Sequence, residues 1–288
     1  MVDCLTYAKA VPGAQQNLIE PHHTQILDNV PSTELHFCAP TVIGFSLANK
    51  TWGRLVVDQL TEIVWESDAF AHLVLFEEKK SLVKSLVNAD QKEMIKDVIS
   101  CKSGGFLVVL HGKPGTGKTL TAEAAAEKAR KPLVVASAAE LGVSGNSLPP
   151  PGTSYASNSL HNILALCKTW DAILLIDEAE VYLEARSLGD VHRNATVSNF
   201  LRQLEYHQQV IFLTTNHISR LDAAFKSRIA VAIRYPDLDA DAQEEIWSRF
   251  LTLAGIQIVE DENRVEGSIT KTELGKLSTR QMNGRYSI

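Results

Sequence analysis

Short apolar runs alternate with stretches of helical periodicity from about residue 104 to residue 236. Phe106–Leu110, Leu133–Ser137, Ala172–Ile176, Val210–Leu213 and Ile229–Tyr235 each read as a strand. Runs without polar alternation fit strands covered on both faces, the signature of a parallel sheet. Between them, Leu120–Lys131 is rich in Ala, Glu and Lys, which favour helix. Leu160, Ile163, Leu164, Leu166 and Cys167 form a second helical stripe. The order strand, helix, strand predicts an α/β fold.

The flanks have a different texture. Residues 1–40 carry four prolines and little periodicity, and read as an irregular segment. His22, His23, His36 and Cys38 lack the second spaced pair that a metal site needs. Residues 41–103 form a lead-in. Thr41–Leu47 and Gly53–Val57 read as strands joined by a turn at Asn49-Lys50, and Ile63–Trp65 continues the extended pattern. Ser67-Asp68 is expected to cap a helix starting near Ala69, with Leu82, Val83, Leu86 and Val87 on its apolar face. A single α/β unit is assigned to residues 104–236. Beyond it, Asp239 is expected to cap a helix with Trp247, Phe250, Leu251 and Ala254 on one face, ended by Gly255. A second amphipathic piece follows Thr270, and residues 237–288 read as an incomplete helical lid. Residues 142–159, rich in Pro, Gly and Ser, read as a long loop.

Composition narrows the classes without choosing among them. With 288 residues, 45% hydrophobic, the chain can bury a sizeable core. A net charge of −6 makes no case for a dedicated nucleic-acid binder. No apolar run is long enough to span a membrane, and the N-terminus lacks a basic stretch before an apolar core. Cys4, Cys38, Cys101 and Cys167 are scattered, which fits reduced thiols in an intracellular protein.

The chemistry lies at two strand ends. Gly112-Lys113-Pro114-Gly115-Thr116-Gly117-Lys118-Thr119 matches G-x-x-x-x-G-K-[ST] between a strand and a helix that takes over by Leu120. Glycines let the backbone turn its N–H groups toward a polyphosphate, and the helix adds the positive end of its dipole. Lys118 is expected to neutralise phosphate oxygens, and the Thr119 hydroxyl to ligate Mg²⁺. The run ending Ile176-Asp177-Glu178 places two acids at the carboxyl end of a buried strand, where open α/β sheets bind ligands. Asp177 is expected to hold Mg²⁺ and Glu178 to accept a proton from the attacking water. Asn216, closing the next strand, is expected beside the γ-phosphate.

Together these motifs, with Leu221-Asp222-Ala223-Ala224-Phe225 through Arg228, resemble an AAA+ ATPase of the AAA type. Segments such as LHGKPGTGKTLTAEAAAE and FKSRIAVAIRYPDLD are similar to fungal proteins with an AAA core behind an uncharacterised N-terminal region. The resemblance implies a P-loop NTPase with a five-stranded parallel sheet flanked by helices, then a small helical lid. It implies ATP and Mg²⁺ as ligands, a homo-oligomeric ring, usually a hexamer, and a protein substrate. It assigns Asn216 as sensor 1, Arg228 as an arginine finger acting on a neighbouring subunit, and Arg285 as sensor 2. The pattern departs from the family at Val143–Ser159, where Tyr155 is the single aromatic and no aromatic–hydrophobic–Gly pore loop is evident. The lid also reads as cut short after Ile288. Two functions follow: an Mg²⁺-dependent ATPase that remodels a protein or complex, or an ATP-gated scaffold or truncated product that binds without productive turnover. A P-loop kinase fits the acidic pair poorly.

Overall fold

A computed structural model of the chain describes residues 39–66, 68–71, 73–88, 105–137, 141, 160–180, 191–205, 207, 209–218, 223–260 and 268–279. Its centre is a five-stranded parallel sheet built from β3 (Leu107–His111), β4 (Leu133–Ser137), β5 (Ile173–Asp177), β6 (Ile211–Thr215) and β7 (Val231–Arg234). The strand order is β4-β5-β6-β3-β7. The chain therefore leaves β3, skips two positions to β4, and works back until β6 pairs with β3. That reversal opens a crevice at the carboxyl end of β3.

Alternate side chains of each strand feed two cores, which is why the runs read as continuously apolar. One core joins Leu107, Val109, Leu174, Ile176, Ile211 and Leu213 to helices α3 (Leu160–Trp170) and α4 (Val191–Glu205). The other joins Val108, Leu110, Ile173, Leu175 and Phe212 to α1 (Glu77–Asn88) and α2 (Lys118–Ala129). The facing side of α2 is almost entirely alanine, so this helix lies close against the sheet. The expected fold, a parallel sheet of five strands flanked by helices, is what the chain adopts.

The lead-in is partly as expected. β1 (Thr41–Ser46) and β2 (Thr51–Val56) form an antiparallel hairpin, with Phe45 tilted against and Trp52 edge-on to Trp170 of α3. Ile63–Trp65 is not a strand. Among the described residues no strand pairs with it, and Val64 is 91% exposed. No helix starts at Ala69. Residues 68–71 make a turn that delivers Phe70 and Leu73 into the core, and α1 begins at Glu77. Val83, Leu86 and Val87 are buried as expected, whereas Leu82 is exposed.

After the sheet, Asp239 caps α6 (Ala240–Leu253) by accepting from the Ala242 N–H at 2.9 Å, and Gly255 follows with φ 77°. Of the expected apolar face, Leu251 is buried while Phe250 and Ala254 are exposed. The short parallel pair β8 (Ile258–Val259) and β9 (Ile269–Thr270) leads into α7 (Lys271–Thr279), which packs on α6. Thr270 and Glu273 form a reciprocal capping box at its start. Between β6 and β7, α5 (Ala223–Lys226) is a single turn.

Candidate functional site

The loop from Gly112 to Gly117 fills the crevice at the carboxyl end of β3. Gly115 and Gly117 take φ of 78° and 90°, which residues with a Cβ rarely adopt. Gly112 is required for a second reason. A Cβ there would stand 2.6 Å from the Tyr235 carbonyl oxygen and 2.8 Å from the Tyr235 Cβ. Tyr235 is itself fixed, since its N–H donates to the His111 carbonyl and its hydroxyl donates to Thr121 Oγ1 at 2.6 Å. Thr121 in turn donates to the Gly117 carbonyl at 2.9 Å. Burial pushes the Tyr235 hydroxyl pKa up to about 12. Within the loop, Thr116 is buried and donates to the Lys113 carbonyl at 2.8 Å. Lys113 reaches Asp237, while Pro114 and Gly115 face solvent and Leu120 is also exposed.

Lys118 opens α2 and is 9% exposed. Its ammonium donates to the carbonyls of Gly112 at 2.8 Å and Lys113 at 2.7 Å, and to Asn216 Oδ1 at 3.1 Å. Burial lowers its pKa, while the carboxylates of Glu180 and Asp177 act in the opposite sense. With Oδ1 of Asn216 engaged by Lys118, the groups its side chain has left to offer a ligand are its amide N–H donors. His111, just before the loop, has its pKa lowered by burial and by Arg234, Lys79 and Lys118.

One residue into α2, the Thr119 hydroxyl stands 3.5 Å from each carboxylate oxygen of Asp177 at the end of β5. A hydroxyl and a carboxylate facing each other are hard oxygen donors, and they suit Mg²⁺. Glu178, next in sequence, is exposed and holds φ 53°. A non-glycine residue in this region carries strain of order 1–3 kcal/mol. Thr214 of β6 donates its hydroxyl to Asp177 and accepts the Glu178 N–H at 3.0 Å. Glu180 accepts the Asn216 N–H at 2.6 Å.

Lys118, Thr119, Asp177, Glu178 and Asn216 thus meet at one end of the sheet. Arg228 does not join them. It lies between α5 and β7, and two residues later Ala230 donates to the carbonyl of Leu107, at the amino end of β3. Arg285, Leu221-Asp222 and the loop 142–159 fall outside the described residues. Sequence reasoning missed Thr214, Glu180 and Tyr235. Glu180 had a signal in the spacing Asp177-Glu178-Ala179-Glu180, but the other two had none at short range. Beside Thr116 opens a cavity of about 350 Å³, bounded by Leu73–Glu77, Tyr235–Asp239 and the first turns of α6. That volume is in the range of small-molecule sites.

Residues 108–237 match the profile of the ATPase family associated with various cellular activities (AAA). Proteasome-activating nucleotidase 2 of Halobacterium salinarum is 27% identical over 150 residues, covering 48% of this chain and 35% of that protein. The chain therefore spans about a third of the length of this curated relative. Among solved structures, the FIGL-1 AAA domain in complex with ADP is similar with a TM-score of 0.53 at 17% identity, over 78% of this chain and 70% of that one. A chain of the E. coli MS115-1 HORMA:CdnC:Trip13 complex aligns at a TM-score of 0.47 and 19% identity, over 73% and 75%. Likeness at this identity concerns the fold, which is that of AAA+ P-loop NTPases.

Proposed function

We propose that this chain is an AAA+ ATPase that binds Mg²⁺·ATP at the end of β3 and hydrolyses it. The observation that carries the reading is the meeting of Lys118, Thr119, Asp177, Glu178 and Asn216 around one crevice. The adenosine part fits the cavity beside Thr116, and the polyphosphate fits the N–H groups of Gly115 to Thr119. Lys118 neutralises phosphate oxygens. Thr119 and Asp177 would hold Mg²⁺, which would supply further neutralisation of phosphate charge. Glu178 takes a proton from the attacking water, and the Asn216 amide orients that water.

The backbone at Arg228 leads to Ala230, which donates to the Leu107 carbonyl at the amino end of β3. The loop starts after His111, about four residues beyond the amino end of β3, or roughly 13 Å along the strand. A residue whose backbone lies toward that end of the sheet fits a role at the site of a second copy, and on this reading the active form is an assembly. The work done by the cycle is remodelling of a protein or complex.

The test is ATP hydrolysis per subunit across a wide range of protein concentration. Specific activity should climb with concentration, and Glu178→Gln should abolish turnover while ATP still binds. Bound ATP with no hydrolysis at any concentration would replace the enzyme with a nucleotide-gated scaffold. A Glu178→Gln protein turning over at the parental rate would remove Glu178 from its role.

A further inference from the structure

We infer that Thr214 is a positioning residue for hydrolysis, setting the Asp177 carboxylate and the Glu178 backbone in one arrangement; this rests on the ATPase reading above. β6 runs Ile211-Phe212-Leu213 before it, all fully buried, and Thr214 itself is 2% exposed. A valine would serve the sheet equally well at such a place, having the same shape and β-branching. The hydroxyl is therefore what calls for an explanation.

Its hydrogen bonds supply one. The Thr214 hydroxyl donates to Asp177 Oδ1. That leaves the Thr214 lone pairs facing outward, and one accepts the Glu178 N–H at 3.0 Å. The Thr214 carbonyl also accepts the next N–H along, from Ala179, at 2.9 Å. A single residue thus grips three consecutive positions at the end of β5. The middle one, Glu178, is the residue held at φ 53°. Release of its N–H lets the turn relax and swings the carboxylate away from the crevice. Release of Asp177 Oδ1 frees the carboxylate to rotate away from the Thr119 hydroxyl, now 3.5 Å from both of its oxygens. Neither change touches the bonds of Lys118 to Gly112, Lys113 and Asn216. The loss should therefore fall on turnover and metal use, and spare nucleotide affinity.

Thr214→Val and Thr214→Ala both lack the hydroxyl and differ in packing, so a shared defect reports the hydroxyl alone. Each should lower kcat by about 100-fold, the scale of a misplaced general base, with KM for ATP within about twofold. Metal-free binding of a fluorescent ATP analogue should match the parent. The Mn²⁺ affinity of the ATP complex, read by electron paramagnetic resonance, should fall about tenfold, the 1.4 kcal/mol of one modest hydrogen bond. Thr214→Ser should recover most of both. Parental kcat and Mn²⁺ affinity in the valine and alanine variants would overturn the role of Thr214 and leave the ATPase reading standing. So would a drop in unfolding temperature that fully accounts for lost ATP binding. A parental protein that binds no ATP would overturn both.

Discussion

Gly112→Ala should damage the protein before any nucleotide arrives. The added Cβ would meet the Tyr235 carbonyl oxygen at 2.6 Å, where ordinary contact begins near 3.4 Å, so something must move by roughly 0.8 Å. Tyr235 is poorly placed to yield, with its N–H bonded to His111 and its hydroxyl to Thr121. The loop must give way instead. Overpacking of this kind costs about 1–3 kcal/mol, and the φ of 156° adds about 1 kcal/mol for a residue with a side chain. Gly117→Ala is the control, because its φ is 90° but nothing lies within 4 Å of its Cβ position. It should cost about 1 kcal/mol. Thermal unfolding without nucleotide separates the two: a fall of about 4–16 °C for Gly112→Ala against about 2–4 °C for Gly117→Ala. Equal falls would mean that the contact with Tyr235 does not constrain the loop.

Tyr235→Phe removes one buried donor while Thr121 keeps its bond to Gly117, so it should cost about 1 kcal/mol in urea unfolding; an unchanged midpoint would dismiss that bond as a support of the loop. Burial lowers the pKa of His207 below its ordinary value, against the opposing carbonyls of Leu204 and Phe106. The unfolded chain then binds more protons than the native one between that lowered value and about pH 6.5, so stability should rise with pH across this window. His207→Gln should flatten that limb in urea midpoints taken from pH 5 to 7.5, and an unaltered slope would assign it to other groups.

The sheet and the Gly-rich loop at Gly112 were legible because their signals are local. Five apolar runs and a Gly-rich octet declare themselves within a few residues, whatever the rest of the chain does. The acidic pair at Asp177 was legible for the same reason. Thr214 was not, since its partners lie 36 and 37 positions away and a threonine at a strand end also suits turn chemistry. Tyr235 reaches across 114 positions to Thr121. Errors in the lead-in have the converse origin. Ser67-Asp68 is a local cap signal, but Phe70 and Leu73 gain more from entering the core than a helix would allow. Ile63–Trp65 has the composition of a strand and, among the described residues, no strand that pairs with it. The face of α6 was misjudged because periodicity says which residues align, not how much of the stripe a small neighbour such as α7 can cover.

The strand order also has a consequence for synthesis. β3 pairs with β6 and β7 and never with β4, so Leu107 waits for Ile211, 104 residues later, before it meets a neighbour. At ~5–20 residues per second that interval lasts about 5–20 s. During it the strand before the Gly-rich loop has both edges open, and a nascent chain ending before Thr214 has neither the Lys118 bond to Asn216 nor the Thr214 bond to the Glu178 N–H. On the proposed function, the residues that would hold nucleotide come together only when the hydrophobic sheet closes, late in the synthesis of the polypeptide.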